Sequence, residues 1–130
     1  MTTAIYACIL AVLICRLSMN VIKARRSNRV ALGDGDCKEL IIARSAQSNA
    51  IDYCPIALIL MLFLELNGGH LVLIHITGVL FVTGRIIHSR AILREDLRGR
   101  VRGMQLTFFM IYALVALNLV YFPWLKLIPA

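Results

Sequence analysis

The chain has 130 residues, 60% of them apolar, with a mean hydropathy of +0.81 and a formal net charge of +7. Soluble domains are roughly 45–50% apolar, and a short domain in water buries only part of its surface, so a water-soluble globule is excluded. The excess of basic residues lies in two blocks between apolar runs, which assigns it to membrane topology and argues against a nucleic-acid partner.

The first apolar segment covers residues 3–24 and carries Arg16, Asn20 and two of the four cysteines, Cys8 and Cys15. It leads into the basic stretch "KARRSNRVALGDGDCKEL", whose glycines and aspartates predict a turn-rich loop. The second segment, residues 40–66, contains Cys54 and Pro55, and the proline removes a backbone donor where a kink is expected. A short link without Lys or Arg follows, "ELNGGH". The third segment, residues 70–90, holds "TGVLFVTG", small residues that let helices approach closely. The arginine-rich region that begins within it and runs to the fourth segment holds Arg85, Arg90, Arg94, Arg98, Arg100 and Arg102. The fourth segment, residues 103–124, carries Asn118, expected to hydrogen-bond between helices, and ends on "YFPW", expected as an interfacial aromatic belt. Lys126 is the one basic residue of the C-terminal tail.

About 20 helical residues cross the ~30 Å of hydrocarbon, and each segment supplies them. Only helices satisfy their own backbone in lipid without closing a barrel. The expectation is an all-α protein, one domain over 1–130, folded as a bundle of four membrane-spanning helices. The positive-inside rule places the two basic connections in the cytoplasm and both termini outside. The cysteines show no CxxC and no His/Cys ligand spacing, so neither a disulfide framework nor a metal site is expected.

The second segment poses the functional question. On a helix, Arg44, Ser45, Ser48, Asn49, Asp52 and Tyr53 fall within one half of the circumference, while Gln47 points away. Asp52 lies about 12 Å along the axis from Arg44, below the membrane surface. An ionised group there costs several kcal/mol unless it has a partner or a watery cavity. One solution is a buried ion pair with Arg16 that orders the bundle. The other is a polar cavity open to the cytoplasmic leaflet. Arg85 and His88 are i, i+3 neighbours near the same depth, and Arg25, Arg26 and Arg98–Arg102 come from two more helix ends. Such a cluster of cations suits a small polyanion, which Arg grips in bidentate fashion, or anionic lipid headgroups.

"RSAQSNAIDYCP" (44–55) resembles the second-helix signature of the MAPEG family, the membrane-associated proteins in eicosanoid and glutathione metabolism. "VIKARR" (21–26), "GRIIH" (84–88) and "RGMQLT" (102–107) resemble the corresponding parts of its other helices. The "GDG" loop and the "LMLF-E-NG" run resemble a short bacterial inner-membrane branch of that family. The resemblance covers nearly the whole chain. It implies a homotrimer of four-helix protomers that binds glutathione between neighbours, near the cytoplasmic side. Carried over by motif, Arg25, Arg44, Asn49, Asp52, Tyr53, Arg85 and His88 would hold the tripeptide, and Arg102 would stabilise its thiolate. A lipophilic electrophile or peroxide would arrive from the lipid, giving a glutathione transferase or peroxidase. Retention of the fold as a non-catalytic membrane scaffold is the alternative. Three positions depart from the family pattern. Ser45 replaces an arginine, Asp52 replaces a glutamate, and Ile92 stands where strong synthases carry a tyrosine. A small exporter would need an acid in the first helix, and a thiol oxidase would need paired cysteines. Neither is present.

Overall fold

A computed structural model describes residues 1–124, so Lys126 lies outside the described residues. Four helices run in sequence: α1 (Thr3–Asn28), α2 (Lys38–Leu66), α3 (Leu71–Leu93) and α4 (Leu97–Tyr121). All four are long and apolar enough to cross a membrane. At 1.5 Å per residue they span roughly 35–43 Å, more than the hydrocarbon alone requires.

The helix ends differ from the apolar segments because water-exposed charge does not stop a helix. α1 continues through Arg25 and Arg26 to Asn28. It closes where Arg29 turns left-handed (φ 53°) and the Val30 N–H donates to the Arg25 carbonyl at 3.0 Å. α3 runs on to Leu93. α4 starts six residues earlier than the apolar pattern suggested, at Leu97, so Arg98, Arg100 and Arg102 all lie inside it. The expected arginine-rich connection shrinks to Arg94–Asp96. Asp96 caps α4 by accepting the Arg98 N–H at 3.0 Å. At the opposite end α4 stops at Tyr121, and Phe122 and Trp124 pack edge to face beyond it, with ring centroids 4.8 Å apart. Pro55 sits within α2, which stays helical on both sides of it.

The most extensive packing joins α3 to α4, and α2 touches all three other helices. α1 packs on α2 and more lightly on α3, and does not contact α4. Alanines form the α1/α2 seam, where Ala24, Ala43, Ala46 and Ala50 are buried. A second cluster around Tyr6, Leu10, Met61, Leu64, Phe81 and Leu114 fills the half of the bundle distant from the basic loops. Large apolar side chains such as Ile5, Val12, Phe63, Phe109 and Val120 point outward, which lipid tolerates and water would not. Asn118 bridges helices as expected, donating to the Leu60 carbonyl at 2.9 Å. All four cysteines are free.

Candidate functional site

α2 turns its polar stripe toward the gap between itself and α3/α4. Ala43, Ala46 and Ala50, at i+3 and i+4 spacings, lock one face of α2 into the bundle. The opposite face then carries Arg44, Ser45, Ser48 and Asp52 at the surface. These residues line an open groove of about 750 Å³ near the basic end of the bundle. His88 and Ile92 of α3, Arg100 and Met104 of α4, and Asp34 from the α1–α2 loop complete its wall. Gln47, expected to point away, also lines this groove, and its amide donates to Ser18 Oγ of α1 at 2.8 Å.

Four of the sequence-predicted residues therefore come together here: Arg44, Asn49, Asp52 and His88. The other four stand elsewhere in the chain. Arg85 is fully buried one layer behind the groove. Its guanidinium donates to Asn49 Oδ1 and, at 3.1 Å, to Thr107 Oγ1, while its Nε has no partner. The Tyr53 ring lies 5.6 Å from the guanidinium carbon and covers one side of it. Arg25 donates from Nη1 to the Val30 and Ala31 carbonyls, closing the end of α1. Arg102 is exposed on α4, outside the groove wall that Arg100 joins two residues earlier. Two residues are about 200° around a helix, which explains why only one of the two arginines can face the groove.

This arrangement has a chemical consequence. Because Asn49 Oδ1 accepts from Arg85, the amide NH2 is the group left to face a ligand. Asn49 is thus set to donate to a carbonyl or carboxylate. His88 Nδ1 is bonded to the Arg100 carbonyl at 2.8 Å, which leaves Nε2 as its free ring nitrogen. The groove then offers two guanidinium groups and the Asn49 amide as donors, His88 Nε2 as an acceptor on the neutral ring, and the Asp52 and Asp34 carboxylates for an ammonium.

Arg16 does not pair with Asp52. It lies on the α1/α3 face, while Asp52 lies in the groove lined by α2, α3 and α4, and no Arg16 ion pair forms among the described residues. The stripe is therefore not held by an ion pair between Asp52 and Arg16. Two features were missed in the sequence. The His88–Arg100 bond joins a side chain to a backbone carbonyl and has no sequence signature. The contribution of Asp34 depends on how the glycine-flanked loop folds back.

Four apolar helices around a polar groove at the basic end define a multi-span membrane protein. The chain matches the MAPEG family model over residues 3–120, and it belongs to that family. It is 39% identical over 124 residues to the inner membrane protein YecN of Escherichia coli K12, covering 95% of each chain. The protein of the same name from an O6:H1 strain of that species matches to the same extent. The chain is an integral inner-membrane protein with four candidate spans.

Proposed function

We propose that the groove binds glutathione at the interface between neighbouring protomers of a homotrimer, with the basic loops in the cytoplasm. The observation that carries this reading is the charge pattern of the groove. Arg44, Arg100 and Asn49 line it, Asp52 supplies a carboxylate from α2, and the second carboxylate, Asp34, accepts the Asp36 N–H of its own loop at 3.4 Å. Glutathione carries two carboxylates and one ammonium, which the two arginines and Asp52 can meet. Asp52 takes the amino group, the arginines take the carboxylates, and Asn49 donates to a peptide carbonyl. Arg85 and Tyr53 act from behind by holding Asn49. Arg25 and Arg102 lie outside the protomer's own groove, so in this reading they reach the ligand across a subunit boundary.

A thiol with the ordinary pKa of about 8.5 is mostly neutral at pH 7, and the thiolate is the nucleophile. A guanidinium beside the sulfur, from Arg102 or from Arg100, favours the anion. The thiolate then attacks an apolar electrophile from the lipid, forming a C–S bond as the leaving group departs. With a hydroperoxide, the thiolate takes the terminal oxygen to give a sulfenic acid as the O–O bond breaks and the alcohol leaves, and a second glutathione thiol then closes the disulfide with loss of water. Ile92 favours a second reading, in which the site binds without efficient turnover. It presents hydrocarbon to the groove where the strongly active synthases present a hydroxyl.

The test is calorimetric titration of glutathione into detergent-purified protein, with proton release recorded. Binding that is lost in Asp52→Ala supports the site. Proton release that is lost in Arg102→Ala or in Arg100→Ala identifies the thiolate partner, and conjugation of 1-chloro-2,4-dinitrobenzene then reads turnover. No binding by the wild-type protein would refute the proposal.

A further inference from the structure

A second groove, of about 700 Å³, runs between α1 and α3 on the face of the bundle away from the site above. Its walls change character along its length. Ile9, Val12 and Leu13 form one end, and Arg16, Lys23 and Arg90 stand toward the other. No acidic residue lines it. Among the described residues none of these three cations is ion-paired. Lys23 also lines an adjoining pocket with Glu39 and Glu95, and both acids are engaged there, Glu95 with Lys38 at 2.7 Å and Glu39 with the Asn28 amide at 3.0 Å.

Depth makes the pattern significant. From Ile9 to Lys23 the groove follows about 21 Å of α1. One leaflet is roughly 15 Å of hydrocarbon plus a headgroup layer, so the groove is one leaflet long. Arg16 lies about 10 Å along the axis below Lys23, within the apolar part of the span. A guanidinium there is costly unless an anion reaches it. Neither Asp52 nor any other described carboxylate does so.

We propose that the α1/α3 groove is a binding site for one anionic phospholipid of the surrounding bilayer. An acyl chain lies along Ile9, Val12 and Leu13, and the phosphate is gripped by Arg16 and Arg90, with Lys23 at the mouth. Arg is suited to phosphate because its planar fork donates in bidentate fashion. The site is independent of the α2 stripe and shares none of its residues.

The test uses native mass spectrometry of the full-length protein released from detergent. The protein is first loaded with an equimolar mixture of dioleoylphosphatidylglycerol and dioleoylphosphatidylcholine. The expected result is a retained adduct strongly enriched in phosphatidylglycerol. A cation at a membrane surface contributes about fivefold to such a preference. Arg16→Gln and Arg90→Gln should therefore each lower the enrichment about fivefold, and the double variant should nearly abolish it. Arg94→Gln, a basic change outside the groove, should leave it unaltered. Val12→Trp changes no charge and sits on an exposed position, so it should fold and lose adducts of both lipids. Equal enrichment in wild type and the double variant would overturn the proposal. So would an Arg94→Gln effect as large as that of Arg16→Gln, because diffuse surface charge would then explain the preference. The same spectra report subunit number. If Val12→Trp broke an assembly that carried no lipid, another protomer would occupy the groove, and the proposal would also fail.

Discussion

Gly103 sets the distance between α3 and α4, and an alanine there should open the site. A Cβ on Gly103 would lie 2.6 Å from the His88 backbone nitrogen, 2.7 Å from its Cβ and 2.8 Å from its Cα. Ordinary contacts begin at about 3.5 Å, so α4 must retreat by about 0.8 Å. The obstacle is helix backbone, which cannot rotate aside. Overpacking of this kind costs roughly 1–3 kcal/mol, and this case belongs at the upper end. The better helix propensity of alanine offsets about 1 kcal/mol, leaving a net cost of about 2 kcal/mol. For a chain of this size that lowers the thermal midpoint by about 8 °C. Gly84→Ala is the matched control across the same joint. Its Cβ would meet the Leu106 side chain at 3.3 Å and the Gly103 carbonyl at 3.4 Å, and leucine can yield. That variant should unfold within about 2 °C of wild type. Thermal unfolding in a non-denaturing detergent compares the two. The His88–Arg100 bond spans the same joint, so Gly103→Ala should also weaken glutathione binding, while Gly84→Ala should not. Equal midpoints for the two variants would refute the close-packing argument.

Two further predictions follow from the buried polar contacts. Asn49→Ala leaves the buried Arg85 guanidinium short of an acceptor and should cost about 2 kcal/mol, whereas Arg85→Met replaces the charge with hydrocarbon and should cost less. A double-mutant cycle on denaturation in mixed micelles should show coupling above about 1 kcal/mol, and coupling below about 0.5 kcal/mol would mean that Arg85 does not hold Asn49. At the other end of the bundle, Glu65 of α2 accepts the backbone N–H groups of Thr2 and Thr3, the latter at 2.9 Å. Glu65→Gln should weaken this cap by about 1 kcal/mol and speed amide exchange in the first turn of α1 roughly fivefold, with the core of α3 unchanged. Uniform acceleration across both helices would show that Glu65 supports global stability and not that end alone.

How much of this was legible in advance depended on the kind of signal. The four spans are written in the sequence because the bilayer acts on composition: any run of about 20 apolar residues must become a helix that hides its own backbone. The helix ends were not, because the edge of an apolar run marks the edge of the hydrocarbon and not the end of hydrogen bonding. That is why Arg98, Arg100 and Arg102 belong to α4. The polar stripe of α2 could be read because a 3.6-residue period converts sequence spacing directly into angle, and Arg44, Asn49 and Asp52 do share the groove. Gln47 could not be placed that way, since its long side chain is directed by Ser18 on another helix.

The sequence by itself determined the solvent of this protein, the number of its helices and the face of α2 that carries its polar groups. Each of these follows from composition or from a local period. Tertiary structure decided which charges meet. It buried Arg85 behind Asn49, chose Arg100 over Arg102 for the groove wall, and set Arg16 on the α1/α3 face away from Asp52. Those outcomes depend on the rotation of each helix about its own axis. That rotation is fixed by small residues packing between helices, the alanines of the α1/α2 seam and Gly103 against His88, and no single helix contains that information.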